Sequence, residues 1–108
     1  MKRFVSLLIL TLASGALVAS AADSAHLNGW ISDSMCGAKH AGTGAECVKT
    51  CIKNGMKPVF VDQAKKEVWT IDNPAAVKPL FYGAHVSITA SVDKAGKSVH
   101  IDSIAAAK

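Results

Sequence analysis

Cys36, His40, Cys47 and Cys51 lie within sixteen residues, and no other stretch of the chain is as dense in reactive side chains. Three thiols and an imidazole support three chemistries. The first is a structural disulfide, because cysteines pair in an oxidising compartment. Two cysteines four apart on one helix share a face, but their Cβ directions suit a disulfide poorly. The expected bridge therefore runs from Cys36 to Cys47 or to Cys51. It would close a short loop and contribute about 2–4 kcal/mol. It leaves one thiol over, an odd number for an exported protein. The second chemistry is a metal site. Three thiolates and one imidazole form a known tetrahedral zinc set, and soft thiolates also suit Cu(I). All four groups are then used, although the C-x3-C spacing departs from the usual C-x2-C of zinc knuckles. The third is thiol redox chemistry, which needs a thiolate stabilised by a helix N-terminus or a cation. Cys47 falls in the first turn of a predicted helix, near Lys39, His40 and Lys49. The C-x-x-C motif and the βαβ context of a thioredoxin are both missing, and so is the C-x-x-C-H of haem attachment.

These residues need elements to hold them. Leu27 to Asp33 has the aromatic and branched residues of a first strand, after a frayed end from Asp23 to His26. Ser34 to Gly44 reads as loop, with Asp33 and Ser34 forming a turn or local cap and Asp33 a conceivable second-layer partner for His40. Thr43 and Glu46 match a capping box, Glu46 to Lys53 suits a helix, and Asn54-Gly55 supplies a left-handed stop. So short a helix is not stable alone. Pro58 to Asp62 and Glu67 to Asp72 read as a hairpin, with Val61 opposite Val68 and Phe60 opposite Trp69, apolar on both faces and so covered on both. Asn73-Pro74 looks like a cap with proline at the first helical position, opening one helical turn toward Leu80. In the last hairpin Val86, Ile88, Ala90 and Val92 alternate with polar residues, and Val99 and Ile101 do the same after the turn. That period of two marks strands with one wet face. Together these elements predict a mainly β, five-stranded antiparallel OB-like barrel with a Cys-bearing helix between the first and second strands. The alternative is an open antiparallel sheet with one helix packed on it.

The first residues predict a secretory leader. Met1-Lys2-Arg3 is positive, Phe4 to Val18 is apolar, and Ala19-Ser20-Ala21 has the small residues of a cleavage site. Residues 1–21 are thus a signal peptide, cleaved after Ala21 or Ala22, and 22–108 a single exported domain, periplasmic or extracellular. The apolar run is too short and interrupted for a membrane span, which takes about 20 residues, so no membrane anchor is expected after cleavage. The leader carries two of the basic residues and no acid, so the formal charge falls from +4 to +2. The basic balance is partly a targeting feature, and no nucleic-acid partner is expected. The remaining residues make one small domain, of a size that often needs a disulfide or a metal as a staple.

Other chemistry is sparse. The expected register puts Ser91 opposite His100, with His85 six residues further along its strand. At about 3.3 Å per residue the two imidazoles are about 20 Å apart and cannot share an ion. Both read as solvated surface groups, and His26 sits near the chain start. Trp30, Phe60, Trp69, Phe81 and Tyr82 could stack bases, but without a basic groove they are more simply core. Nucleophile-elbow, zincin and phosphate-loop motifs are absent, and no catalytic constellation emerges.

The segments GWISDSMCG (Gly29 to Gly37), CVKTCIKNGMKPVFV (Cys47 to Val61), IDNP (Ile71 to Pro74) and GAHVSITASVD (Gly83 to Asp93) carry a resemblance. The chain from about Gly29 to Ile104 resembles a group of small exported bacterial proteins that join a Cys-rich loop and helix to an OB-like β domain. No established activity comes with that resemblance. A weaker similarity is to exported copper chaperones that use C-x3-C with a distant histidine. Here Ile52 stands where those have proline, and the thioredoxin framework is missing. The expected function is a non-enzymatic, disulfide-stapled binding module for an unknown small ligand or protein. The alternative is a zinc or copper protein using Cys36, His40, Cys47 and Cys51, with a thiol-redox factor third.

Overall fold

The computed structural model describes residues 23–107, with side chains described for all but Asp23 and His40. The predicted signal peptide and its cleavage point lie outside these residues. Five strands, β1 (Asp23–Asp33), β2 (Pro58–Asp62), β3 (Val68–Ile71), β4 (His85–Asp93) and β5 (Ser98–Ala106), form a closed barrel in the order β1-β2-β3-β5-β4. One helix, α1 (Ala45–Lys53), lies between β1 and β2. This is the expected OB-like barrel, and closure removes the open sheet as an alternative. No helix among the described residues is long and apolar enough to cross a membrane.

The inward positions follow the period of two. Ile31, Phe60, Ile71, Val86, Ile88, Ala90, Val99 and Ile101 are buried together, with Val77 from the β3–β4 connection. The predicted registers hold: Phe60 faces Trp69, Val61 faces Val68, Val92 faces Val99 and Ser91 faces His100. The last hairpin also has an irregularity between Thr89 and Ala90. Trp69, Phe81 and Tyr82 pack against the core as half-buried residues.

Several local expectations are overturned. Asp23 to His26 is strand, not a frayed end, because it pairs with β4 from Asp23 opposite Val92 onward. β2 is buried from Pro58 to Val61, but β3 is covered on one side only, with Val68 and Thr70 exposed. Four ladders are antiparallel, while the closing β3–β5 ladder is parallel. Thr70 and Asp72 donate backbone N–H groups to the carbonyls of Lys97 and Val99. Asn73 then extends that ladder with its side chain. Its Nδ2 donates to the Ile101 carbonyl at 2.8 Å, and its Oδ1 accepts the Ile101 N–H at 2.8 Å. Asn73 therefore cannot cap the turn that follows, and no side-chain cap bond forms. Beyond it the chain makes two separate 3-10 turns, Pro74–Ala76 and Pro79–Phe81, in place of one helical turn.

The Thr43–Glu46 capping box does not form either. Gly44 is the N-cap, in the left-handed region at φ 68, without a side-chain cap bond. The cause is tertiary. The first helical residue, Ala45, lies directly on Gly83, where an added Cβ would come within 2.7 Å of the Ala45 Cα. Gly83 also has φ +77, so both space and backbone call for glycine there. The other end of the helix stops as expected. Gly55 N–H bonds the Ile52 carbonyl and Met56 N–H bonds the Cys51 carbonyl, both at 3.0 Å, which is the Schellman pattern.

Candidate thiol site

The end of β1 positions Cys36. Ser32 and Asp33 are the buried polar residues there, both fully covered. Ser32 Oγ donates to the Gly37 carbonyl at 2.7 Å. Asp33 Oδ1 accepts the N–H of Met35 at 3.0 Å and of Cys36 at 2.8 Å. Asp33 thus folds the chain back on itself as a short polar turn, the local role its sequence position suggests. Cys36 then leads into a 3-10 turn, Gly37–His40, where a plain loop was expected.

The helix positions the other two thiols. Cys47 and Cys51 share one face of α1, and Val48 beside them is completely buried. Val48 lies outside the barrel-core group, and α1 packs against β1 and the Gly37–His40 turn. The Sγ atoms of Cys36, Cys47 and Cys51 all lie within 4.8 Å of one another. Cys36 and Cys51 are half-buried and Cys47 is exposed, and all three thiols are free. The sequence cluster is therefore a cluster in space for its three cysteines. The expected bridge from Cys36 to Cys47 or Cys51 is not formed in this arrangement. The His40 side chain lies outside the described residues.

The surroundings disfavour thiolates. Partial burial pushes the Cys51 thiol up from its ordinary 9.0 to about 11, helped by a hydrogen bond with Cys47 and by the negative charge of Asp33. Partial burial raises Cys36 as well, followed by the charge of Asp33 and the neighbouring Cys47. A redox thiol needs the opposite shift. These two thiols are held as S–H at neutral pH unless a cation enters, which would reverse the effect.

Asp33 is the residue whose importance the sequence understates. Its Oδ2 is buried and has no hydrogen-bond partner among the described residues. Buried carboxylate oxygens are normally satisfied, and exceptions often mark a missing ion or water. The only advance signal was an acidic residue three positions before a cysteine at a strand end.

The histidines behave differently from the thiols. His85 is exposed but not simply solvated, since it stacks on Trp30 with ring centroids 5.0 Å apart and bonds Gln63 Oε1 at 2.6 Å. Lys66 Nζ lies 4.0 Å from the centre of the same Trp30 ring. His100 bonds Asp72 at 2.6 Å and His26 bonds Thr89 at 3.0 Å. His85 and His100 thus have separate partners, as their spacing implied. A cleft of about 490 Å³ is lined by Asn28, Gln63, His85 and Ser87 with the alanines near the end of β5. The Trp30 ring beside it is already covered by His85 and Lys66, which leaves little free aromatic surface for a ligand. No family model, curated protein or solved structure matches the chain.

Proposed function

We propose that this is an exported, non-enzymatic binding protein for a thiophilic metal ion, held by Cys36, Cys47 and Cys51. The observation that carries the proposal is the convergence of three free Sγ atoms within 4.8 Å. Zinc bound at about 2.3 Å from each sulfur of a tetrahedral site sets the sulfurs about 3.8 Å apart. Side-chain rotation of about 1 Å would reach that geometry. Three thiolates suit Cu(I) as well. The compartment rests on the leader motif at residues 1–21 and on the resemblance to small exported proteins. His40, which the sequence spacing suggests as a ligand, is no part of this three-sulfur set.

The leader motif and the same proximity favour a second reading. In an oxidising compartment Cys36 could bridge to Cys47 or Cys51, stapling the cap of an otherwise passive binding module. One thiol would then be spare. Native mass spectrometry of the protein from its export compartment, with and without alkylation, separates the two. Three alkylatable thiols and one bound zinc or copper ion are expected. A mass two hydrogens short, one alkylatable thiol after unfolding and no metal would sink the metal proposal in favour of the disulfide.

A further inference from the structure

We infer that Asp33 Oδ2 is the fourth ligand of this site, and that the resulting three-sulfur, one-oxygen set takes zinc in preference to Cu(I). The inference rests on the metal reading above. Asp33 is fully covered, its Oδ1 is committed to two backbone N–H groups, and its Oδ2 is buried without a partner among the described residues. The Cys36 N–H bond to Oδ1, at 2.8 Å, holds the carboxylate beside the first of the three cysteines. It stands outside the mutual 4.8 Å distance of the three sulfurs. To reach the ion it would have to draw in toward the sulfurs.

Charge and softness then select the ion. Three thiolates and a carboxylate bring four negative charges into a partly covered site. A divalent ion neutralises more of that charge than a monovalent one, and uncompensated buried charge is costly. Carboxylate oxygen is an ordinary zinc ligand and a poor match for soft Cu(I). Binding forms three Zn–S bonds and one Zn–O bond, and each coordinating thiol releases its proton to solvent.

The test titrates the reduced, metal-free protein with Co2+ as a visible probe and with Zn2+ against a chelator. Asp33→Asn keeps an oxygen for the Met35 and Cys36 N–H groups and removes the anionic one. It should weaken zinc at least tenfold and shift the Co2+ ligand-field bands, while His40→Gln leaves both unchanged. Zinc-edge X-ray absorption of the unaltered protein should show three sulfurs and one light atom without imidazole outer-shell scattering, which covers a variant that fails to fold. Equal zinc affinity and an unshifted spectrum in Asp33→Asn would overturn the inference. So would imidazole scattering, or a shift produced by His40→Gln, and Cu(I) displacing zinc at equal concentration would overturn the choice of ion. If the reduced protein takes up neither Co2+ nor Zn2+, the metal reading itself fails along with it.

Discussion

The barrel and the cap that carries the cysteines are held together in different ways. In the barrel, apolar side chains from all five strands meet in one buried group. In α1, Val48 is the buried residue, and Cys47, Lys49, Thr50 and Lys53 are exposed. The polar residues buried where the two regions meet, Ser32 and Asp33, spend their bonds on the loop that presents Cys36. Apolar burial responds to temperature, denaturant and excluded cosolvents, and is indifferent to thiol chemistry. A cap fixed by polar turns, one valine and three thiols depends on the state of the thiols. The difference makes the barrel a platform and the cap the element that a metal or a bridge can tighten.

The largest effects are expected in the barrel. Phe60 is fully buried at the centre of the core. Phe60→Ala should lower global stability by about 3–5 kcal/mol, read as a shift in the urea midpoint. Loss of only the cap, with β4 and β5 still protected from hydrogen exchange, would break the comparison. Asn73→Ala comes next. It removes both bonds to Ile101, a buried strand residue, at the parallel seam. About 1–3 kcal/mol is expected, because backbone groups of a covered strand are left without partners. A thermal melt unchanged from the parent would show that the seam closes without this side chain.

Val48→Ala sharpens the contrast most directly. Two methyl groups leave a completely covered site, worth about 1.5 kcal/mol at about 0.8 per buried carbon. Since Val48 stands outside the barrel-core group, the loss should appear as faster exchange of α1 amides with little change in β4. Uniform loss of protection across both regions would mean that cap and barrel unfold as one unit.

The two regions were also unequally legible. The alternation of Val86, Ile88 and Ala90 against Val99 and Ile101 carries its register openly, and the structure keeps it. Phe60 opposite Trp69 was legible for the same reason. The parallel seam was not, because its backbone pairing joins strands far apart in the chain and the asparagine that extends it meets a residue 28 positions away. Nothing around Asn73-Pro74 distinguishes that role from a helix cap. Thr43 and Glu46 have the right spacing for a capping box, but the contact of Ala45 with Gly83 decides where the helix starts. In the site, the thiols were visible by density alone. Asp33 was visible as a turn former or as a partner for His40 but not as a ligand, since an aspartate in an exposed turn and one buried with a spare oxygen look identical in sequence.

The smallest effect concerns alkaline pH in the reduced, metal-free protein. In the unfolded chain Cys51 gives up its proton near the ordinary 9.0, whereas the folded cap holds it to about 11. A folded pKa above the unfolded one means that the native state binds the proton more tightly. Its contribution is therefore fully present below about pH 9 and is lost as pH rises toward 11. Cys36 is shifted in the same direction. Urea midpoints should fall across that window, and Cys51→Ser should flatten the fall relative to the parent, with lysine titration common to both. With zinc present, stability should instead rise with pH between 6 and about 8, because each ligating thiol must lose its proton and higher pH eases that step. Identical pH profiles for the parent and Cys51→Ser would show that the thiols are no more constrained in the cap than in the unfolded chain, and the distinction between a passive barrel and a thiol-sensitive cap would go with them.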